Sequence, residues 1–213
     1  MRVRIAIVVA TLALVPCVGA AADLLDRVLA VVGGTVITQS DAVAALTFGL
    51  VASPAPDADP LRAALDQLIR RELILAEANR YAPSEADAEV VKKKVAEIRD
   101  RFPSPAAFRA ALARTAMNES RLADIVEGDV RIGEYLKQRF GVAEPTDEEV
   151  TAYYVAHRAE LTSGGRQLTL EQARDAARQR WTEEKRAALI GEWVARLRRR
   201  AEVSDVYFAD TGK

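Results

Sequence analysis

The chain has 213 residues, with 30 basic and 31 acidic side chains, and its formal net charge is −1. A nearly neutral chain lacks the strongly basic surface that is typical of nucleic-acid binding, so no nucleic-acid partner is expected. His157 is the only histidine. This excludes a two-histidine zinc site and any catalytic group that needs a second histidine. The sequence also lacks phosphate-binding loop motifs, and we therefore expect neither a metal nor an organic cofactor.

Residues 1–22 have the layout of a secretory signal peptide. A charged start, Met1 to Arg4, precedes an apolar run from Ile5 to about Val18, and small residues follow. The run is shorter than the ~20 residues that a membrane-spanning helix needs. We expect cleavage near Ala20 or Ala22, export to the periplasm and no stable membrane span afterwards. The alternative is an uncleaved N-terminal anchor.

The mature chain predicted in this way is cysteine-free. Removal of residues 1–22 from the 213 leaves 191 residues, and Cys17, the only cysteine, leaves with the signal. Pro16 beside Cys17 suits a lipidation signal badly. Disulfide and thiol chemistry are therefore not expected. Loss of Arg2 and Arg4 leaves 28 basic against 31 acidic residues, a net charge of −3.

The two ends of the mature chain carry β-strand patterns. Val28 to Val32 and Thr35 to Ile37 are rich in β-branched residues, and Gly33-Gly34 between them suits a tight hairpin turn. Val203 to Phe208 has the composition of a terminal strand. An unpaired apolar edge is a liability, so we expect this last strand to pair with the hairpin in one small sheet.

Helical patterns fill the chain between these strands, which predicts a mainly α fold. Side chains that cap helix starts recur along it, in several places with Glu, Gln or Asp three residues later. The predicted starts are at Thr38 or Ser40, Leu61, Ser84, Ser104, Asn118, Thr146 and Thr169. The first helix is expected to present Val43, Leu46 and Leu50 on one face, and Gly141 to end the fifth helix in a left-handed conformation.

Three segments resemble the SurA-type periplasmic chaperones and related exported parvulin-family peptidyl-prolyl isomerases. They are Asp26 to Asp41 (DRVLAVVGGTVITQSD), Gln67 to Ala78 (QLIRRELILAEA) and Pro145 to Tyr154 (PTDEEVTAYY). The resemblance implies a SurA-like helical chaperone core. It also implies an ATP-independent function, in which the protein binds unfolded or newly exported envelope proteins.

The sequence departs from that family where the parvulin domain would stand. A catalytic domain needs on the order of a hundred residues. Only residues 162–169 are available, which predicts a short connector. We therefore expect residues 23–213 to form a single helical chaperone domain without catalytic residues. The alternatives are a peptidyl-prolyl isomerase, suggested by the resemblance alone, and a non-catalytic structural subunit of an envelope complex.

Candidate client-binding residues lie near the predicted breaks between helices. Phe102, Phe108 and Met117 are apolar and occupy positions where burial is difficult. They are candidates for contact with unfolded clients, but we favour the alternative, which is packing between helices. Trp181 and Trp193, twelve residues apart on the last helix, are expected to be core anchors on one side of it.

Overall fold

The structure, a computed structural model, describes residues 26–81 and 85–207. The predicted signal peptide lies outside these residues. Within them the chain forms a mainly helical fold of seven helices and five short strands. In chain order they are β1 (Val28–Val32), β2 (Thr35–Thr38), α1 (Gln39–Thr47), α2 (Pro60–Tyr81), α3 (Ala88–Asp100), α4 (Pro105–Arg114), α5 (Glu119–Arg139), α6 (Asp147–Ala156), β3 (Thr162–Ser163), β4 (Arg166–Gln167), α7 (Leu170–Arg200) and β5 (Val203–Asp205).

The predicted sheet from the two chain ends is confirmed. Its strand order is β2-β1-β5, and both pairings are antiparallel. Gly33 and Gly34 form the hairpin turn with φ angles of 55° and 90°, which favour glycine. Strand β5 is shorter than predicted, because it ends at Asp205. Phe208, the last residue of the predicted strand, lies outside the described residues.

Most of the predicted helix starts are confirmed by their caps. Thr38, Thr146 and Thr169 each form a capping box with the residue three positions later. Ser104 and Asn118 cap α4 and α5 by accepting a hydrogen bond from a backbone N–H. These bonds satisfy donors that the first helical turn leaves unpaired. Local sequence therefore determines where these helices begin.

Three local predictions are wrong. Helix α1 buries Ala42, Ala44 and Ala45, whereas Val43 is exposed, because small side chains allow α1 to pack closely against α2. Gly141 does not have a positive φ, and Phe140 instead caps α5, with φ −117° and ψ 53°. Helix α3 begins after Asp87, whose side chain accepts from the Glu89 N–H; Ser84 lies outside the described residues.

The connector predicted at residues 162–169 is a small hairpin. Strands β3 and β4 pair antiparallel, and Gly164 and Gly165 form the turn with φ angles of 56° and 77°. The Leu168 N–H donates to the carbonyl of Leu161 at 2.9 Å, which closes the hairpin at its base. Two consecutive glycines between short polar strands provide the same turn chemistry as at Gly33-Gly34.

The apolar interior of the described residues is divided into three clusters. The sheet core lies between the three-stranded sheet, α2 and the C-terminal halves of α5 and α7. The α4 core joins α1, α3, α4 and the N-terminal half of α5. The α6 core joins α6, the β3–β4 hairpin and the N-terminal half of α7. Helices α5 and α7 each contribute to two clusters and so connect them.

The two tryptophans belong to different clusters. Trp193 is buried in the sheet core, and Trp181 is half-buried against the α6 core. Both are anchors, but they stabilise opposite ends of α7 rather than one shared interface. In the part of the chain that the structure describes, no helix is both long enough and apolar enough to cross a membrane.

Candidate functional site

An open cavity lies where α2, α5 and α7 diverge from the loop after α1; we call it the α7 cavity. Its volume is about 430 Å³. Large aliphatic side chains from all four parts of the chain line it, and one exposed alanine of α7 stands at its wall. These residues are Leu50, Val51, Ile74, Ile132, Leu136, Ile190 and Ala187, and the polar side chains of Gln67, Arg70, Arg71 and Asp129 complete the lining. Such a surface can bind apolar groups without selecting one shape.

A second, smaller cavity lies beside strand β2; we call it the β2 cavity. Its volume is about 170 Å³, and it is lined from β2, α1, α2 and α5. Its apolar wall comprises Val36, Ile37, Ala45, Leu50, Leu68, Met117 and Ile125. Leu50 and Arg71 line both cavities, so the two spaces are neighbours on one surface.

Arg71 is held rigidly between the two cavities. Its Nε donates to Asp129 at 2.6 Å, and its Nη1 donates to Glu72 at 2.9 Å. Its Nη2 donates to the carbonyl of Ile125 at 2.8 Å. The guanidinium passes over Gly128 so closely that a Cβ there would stand 2.6 Å from Nη2. The bonds neutralise the charge of Arg71 and join α2 to α5. The guanidinium therefore forms a fixed polar wall between the two cavities.

The loop between α1 and α2 is fixed by one glutamine. Gln67 Oε1 accepts from the Ala52 N–H at 2.8 Å, and Gln67 Nε2 donates to the Ala52 carbonyl at 3.1 Å. The side-chain amide thus bonds to both backbone groups of Ala52, as the backbone of a neighbouring β-strand would. It positions Leu50 and Val51, which form the shared wall of the cavities.

A groove between α3 and α5 has a volume of about 810 Å³. Alanines and two valines form its floor, and charged side chains form its rim, with an Arg99–Glu119 ion pair of 3.0 Å across it. Small side chains provide little apolar area per residue. The α7 and β2 cavities are therefore the better candidates for apolar binding.

The structure brings the three predicted client-binding residues together in the α4 core. Phe102 and Phe108 pack edge to face with ring centroids 5.4 Å apart, and Phe48 packs against both at 5.8 and 6.1 Å. Phe108 is 1% exposed and Met117 is 8% exposed. Packing between helices accounts for this burial. Met117 also lines the β2 cavity, and it is the one predicted residue that borders a candidate binding surface.

His157 is the C-cap of α6 and contacts Tyr153, a residue of the α6 core. Its ring stacks on Tyr153 at 4.0 Å, and its Nδ1 lies 3.0 Å from the Tyr153 carbonyl. Burial, together with the hydrogen bond that the hydroxyl donates to Glu184, raises the pKa of Tyr153 to about 12. These contacts describe a packed histidine. Among the residues that the structure describes, His, Cys, Asp and Glu side chains form no cluster able to hold a metal ion.

Apart from Met117, the sequence does not predict the residues that line the two cavities. The sequence predicts that Leu50 lies on a helix face, and Arg71 and Ala187 carry no local signal of a binding role. Their contacts join positions far apart in the chain, such as Arg71 and Asp129. No protein-family model matches the sequence, and no curated protein matches it either.

Proposed function

We propose that the protein is an ATP-independent chaperone of the bacterial periplasm, which binds apolar segments of unfolded or newly exported envelope proteins. The observation that carries the proposal is the α7 cavity, an open surface of large aliphatic side chains from four parts of the chain. The resemblance of three sequence segments to SurA-type chaperones supports the same function. Export is part of the proposal and rests on the signal-peptide pattern of residues 1–22.

The walls of the cavity suit transient binding of chains that differ in sequence. Burial of apolar surface stabilises a complex by roughly 25 cal/mol per Å² without directional constraint. Much of this gain is offset by the loss of freedom of the bound segment. The resulting affinity is modest and reversible, which is what release without ATP requires. A holdase of this kind masks apolar segments that would otherwise aggregate.

The cavity offers little attraction to a charged client, because Arg71 and Asp129 on its wall are paired with each other. Arg70, the remaining charged residue of the lining, is exposed to water, where salt screens its charge. Arg71 is bonded to Asp129 and Glu72, and the predicted mature chain has a net charge of only −3. Electrostatic steering depends on unpaired charge and is screened by salt. We therefore expect client binding to change less than about twofold when the salt concentration rises from 0.05 to 0.3 M.

The experiment compares two neighbouring alanines of α7. Ala187 and Ala188 are both exposed, and only Ala187 lines the α7 cavity. Ala187→Asp places a carboxylate that a bound apolar segment would have to desolvate, whereas Ala188→Asp makes the same change outside the cavity. Both substitutions have the same effect on helix propensity. The readout is light scattering by an aggregating unfolded envelope protein, without nucleotide.

The wild-type protein and the Ala188→Asp variant should suppress aggregation at similar concentrations, and Ala187→Asp should require at least about three times more protein. If the wild-type protein and both variants suppress aggregation equally, clients do not bind in the α7 cavity. If the wild-type protein gives no protection at several-fold excess over the client, the chaperone proposal fails, and co-purification with an envelope complex becomes the test of the structural-subunit alternative.

A further inference from the structure

Strand β2 is an edge of the three-stranded sheet, and its free side faces the β2 cavity. The order β2-β1-β5 leaves β2 paired on one side only. Among the described residues, those that line the β2 cavity come from β2, α1, α2 and α5 and from the vicinity of Leu50 and Met117, not from β1. The cavity therefore lies beyond the free edge of β2.

The hydrogen-bond pattern identifies the backbone groups that point outward. In a two-residue hairpin, Thr35 exchanges bonds with Val32, and bonded and non-bonded pairs then alternate through Val36 and Ile37 up to a register shift in β1 between Val28 and Ala30. The Gln39 N–H donates to the carbonyl of Arg27 at 2.8 Å, which agrees with this alternation. Thr35 and Ile37 thus bond toward β1, and Val36 and Thr38 point away from it.

Of the two outward residues, only Val36 has both backbone groups available. The Thr38 N–H donates to Asp41 Oδ2 at 2.9 Å as part of the helix cap. Within the described residues, the N–H and the carbonyl of Val36 make no bond on the outward side. The Val36 side chain is 49% exposed. One donor and one acceptor on the same edge residue are the pair that an added strand uses.

The size and the charge of the β2 cavity indicate what such a strand would carry. A cavity of about 150 Å³ accepts a molecule as large as benzene, so the 170 Å³ here accepts one large apolar side chain. At the rim, Arg121 pairs with Asp41 at 2.8 Å and Arg71 pairs with Glu72 at 2.9 Å. A rim of matched charges favours an uncharged segment over an acidic or basic one.

We propose that β2 binds clients by strand addition: an extended, uncharged segment of an unfolded polypeptide pairs with the Val36 N–H and carbonyl and inserts one large apolar side chain into the β2 cavity. This inference rests on the proposed chaperone function and specifies how a client backbone is held. The backbone contact provides affinity for any extended sequence, and the cavity adds selection for an apolar residue at one position.

The test uses a fluorescent seven-residue peptide of alternating leucine and threonine, with both ends blocked, and two N-methylated forms of it. One form is methylated at the leucines and the other at the threonines. Along a strand, the N–H groups of alternate residues point to opposite edges. With a leucine in the cavity, one set of N–H groups faces β2 and the other faces solvent. Fluorescence anisotropy with the purified wild-type protein measures all three affinities.

Strand addition predicts that one methylated peptide binds at least tenfold more weakly than the parent, and that the other binds within about threefold. Equal affinity of the two methylated peptides, or no binding of the parent peptide, would overturn the inference. If the wild-type protein still suppresses client aggregation in that case, the chaperone function stands and only this binding mode fails. If the wild-type protein neither binds the parent peptide nor suppresses client aggregation, the proposed chaperone function fails as well.

Two variants of Val36 examine the same contact from the side of the protein. Val36→Pro removes the outward N–H and leaves the bonds from β2 to β1 in place, which proline at an edge strand permits. Val36→Thr keeps the N–H and a β-branched side chain. The parent peptide should bind at least fivefold more weakly to the proline variant and within twofold to the threonine variant. Equal binding by both folded variants contradicts strand addition, and if the proline variant does not fold, the methylated peptides still decide the question.

Discussion

Replacement of Gly128 by alanine tests whether the Arg71 side chain, which passes over α5 at Gly128, contributes to the stability of the protein. Alanine in a helix interior is ordinarily more stable than glycine by about 1 kcal/mol. At Gly128, however, the new Cβ would stand 2.6 Å from Arg71 Nη2, and the guanidinium would have to move. Its bond to the Ile125 carbonyl would then be lost. A hydrogen bond from a charged group contributes roughly 1.5–3 kcal/mol.

The loss exceeds the gain, so Gly128→Ala should lower the free energy of unfolding by about 0.5–2 kcal/mol. Gly133 in the same helix provides the matched control, because nothing lies within 4 Å of a Cβ built there. Gly133→Ala should raise the free energy of unfolding by up to about 1 kcal/mol. The two values come from urea unfolding monitored by circular dichroism.

A second background separates the clash from other effects of the substitution. In an Arg71→Met protein the guanidinium is absent, and Gly128→Ala should then be neutral or stabilising. The change from a destabilising effect to a neutral or stabilising one across the double-mutant cycle is the decisive result. If Gly128→Ala stabilises the wild-type protein as much as Gly133→Ala does, the Arg71 side chain is not confined as described and the partition between the cavities is not rigid.

Three further predictions concern the ends of the elements and one titrating group. Thr146→Ala should lower the free energy of unfolding by about 1 kcal/mol through loss of the α6 capping box, whereas Thr151→Ala, in the interior of the same helix, should change it by less than about 0.5 kcal/mol. Truncation after Arg200 removes β5 and its pairing with β1, and the melting temperature should fall; an unchanged value would contradict the closure of the sheet. The pKa of Tyr153, raised to about 12 by burial and by the bond to Glu184, means that its stabilising contribution is complete below pH 10 and is lost as the pH rises from 10 to 12. Between pH 10 and 12, the melting temperature of the Tyr153→Phe variant should fall less than that of the wild-type protein. If the two melting temperatures fall equally with pH, ionisation of Tyr153 is not the cause of the loss of stability.

The features that could be predicted from the sequence are those determined by neighbouring residues. A capping threonine and the glutamate or glutamine three positions later form their bonds within one turn, which is why Thr146 and Thr169 mark helix starts correctly. The glycine pair at 33 and 34 specifies a hairpin for the same reason. The pairing of β5 with β1 is long-range, but an apolar terminal strand has few other edges to join.

The features that the sequence did not reveal depend on what packs against a residue from elsewhere in the chain. Val43 has the character of a core residue, yet α1 turns its alanines inward because α2 approaches closely. Gly128 looks like a weak point of α5 until Arg71 is seen to pass over it. The cavities have no sequence signature at all, because Leu50 and Ala187 become neighbours only in the folded chain.

The most direct test of the proposed chaperone function follows two signals in one refolding sample. An envelope protein whose slow folding step is a prolyl isomerisation is diluted from denaturant with increasing amounts of the wild-type protein and without nucleotide. Light scattering reports aggregation, and fluorescence reports the slow phase. Uncatalysed isomerisation takes tens to hundreds of seconds, so even weak catalysis would be visible. Scattering should fall as the protein concentration rises while the rate of the slow phase stays constant; a slow phase that accelerates with protein concentration would contradict a non-catalytic chaperone, and unchanged scattering would contradict a chaperone altogether.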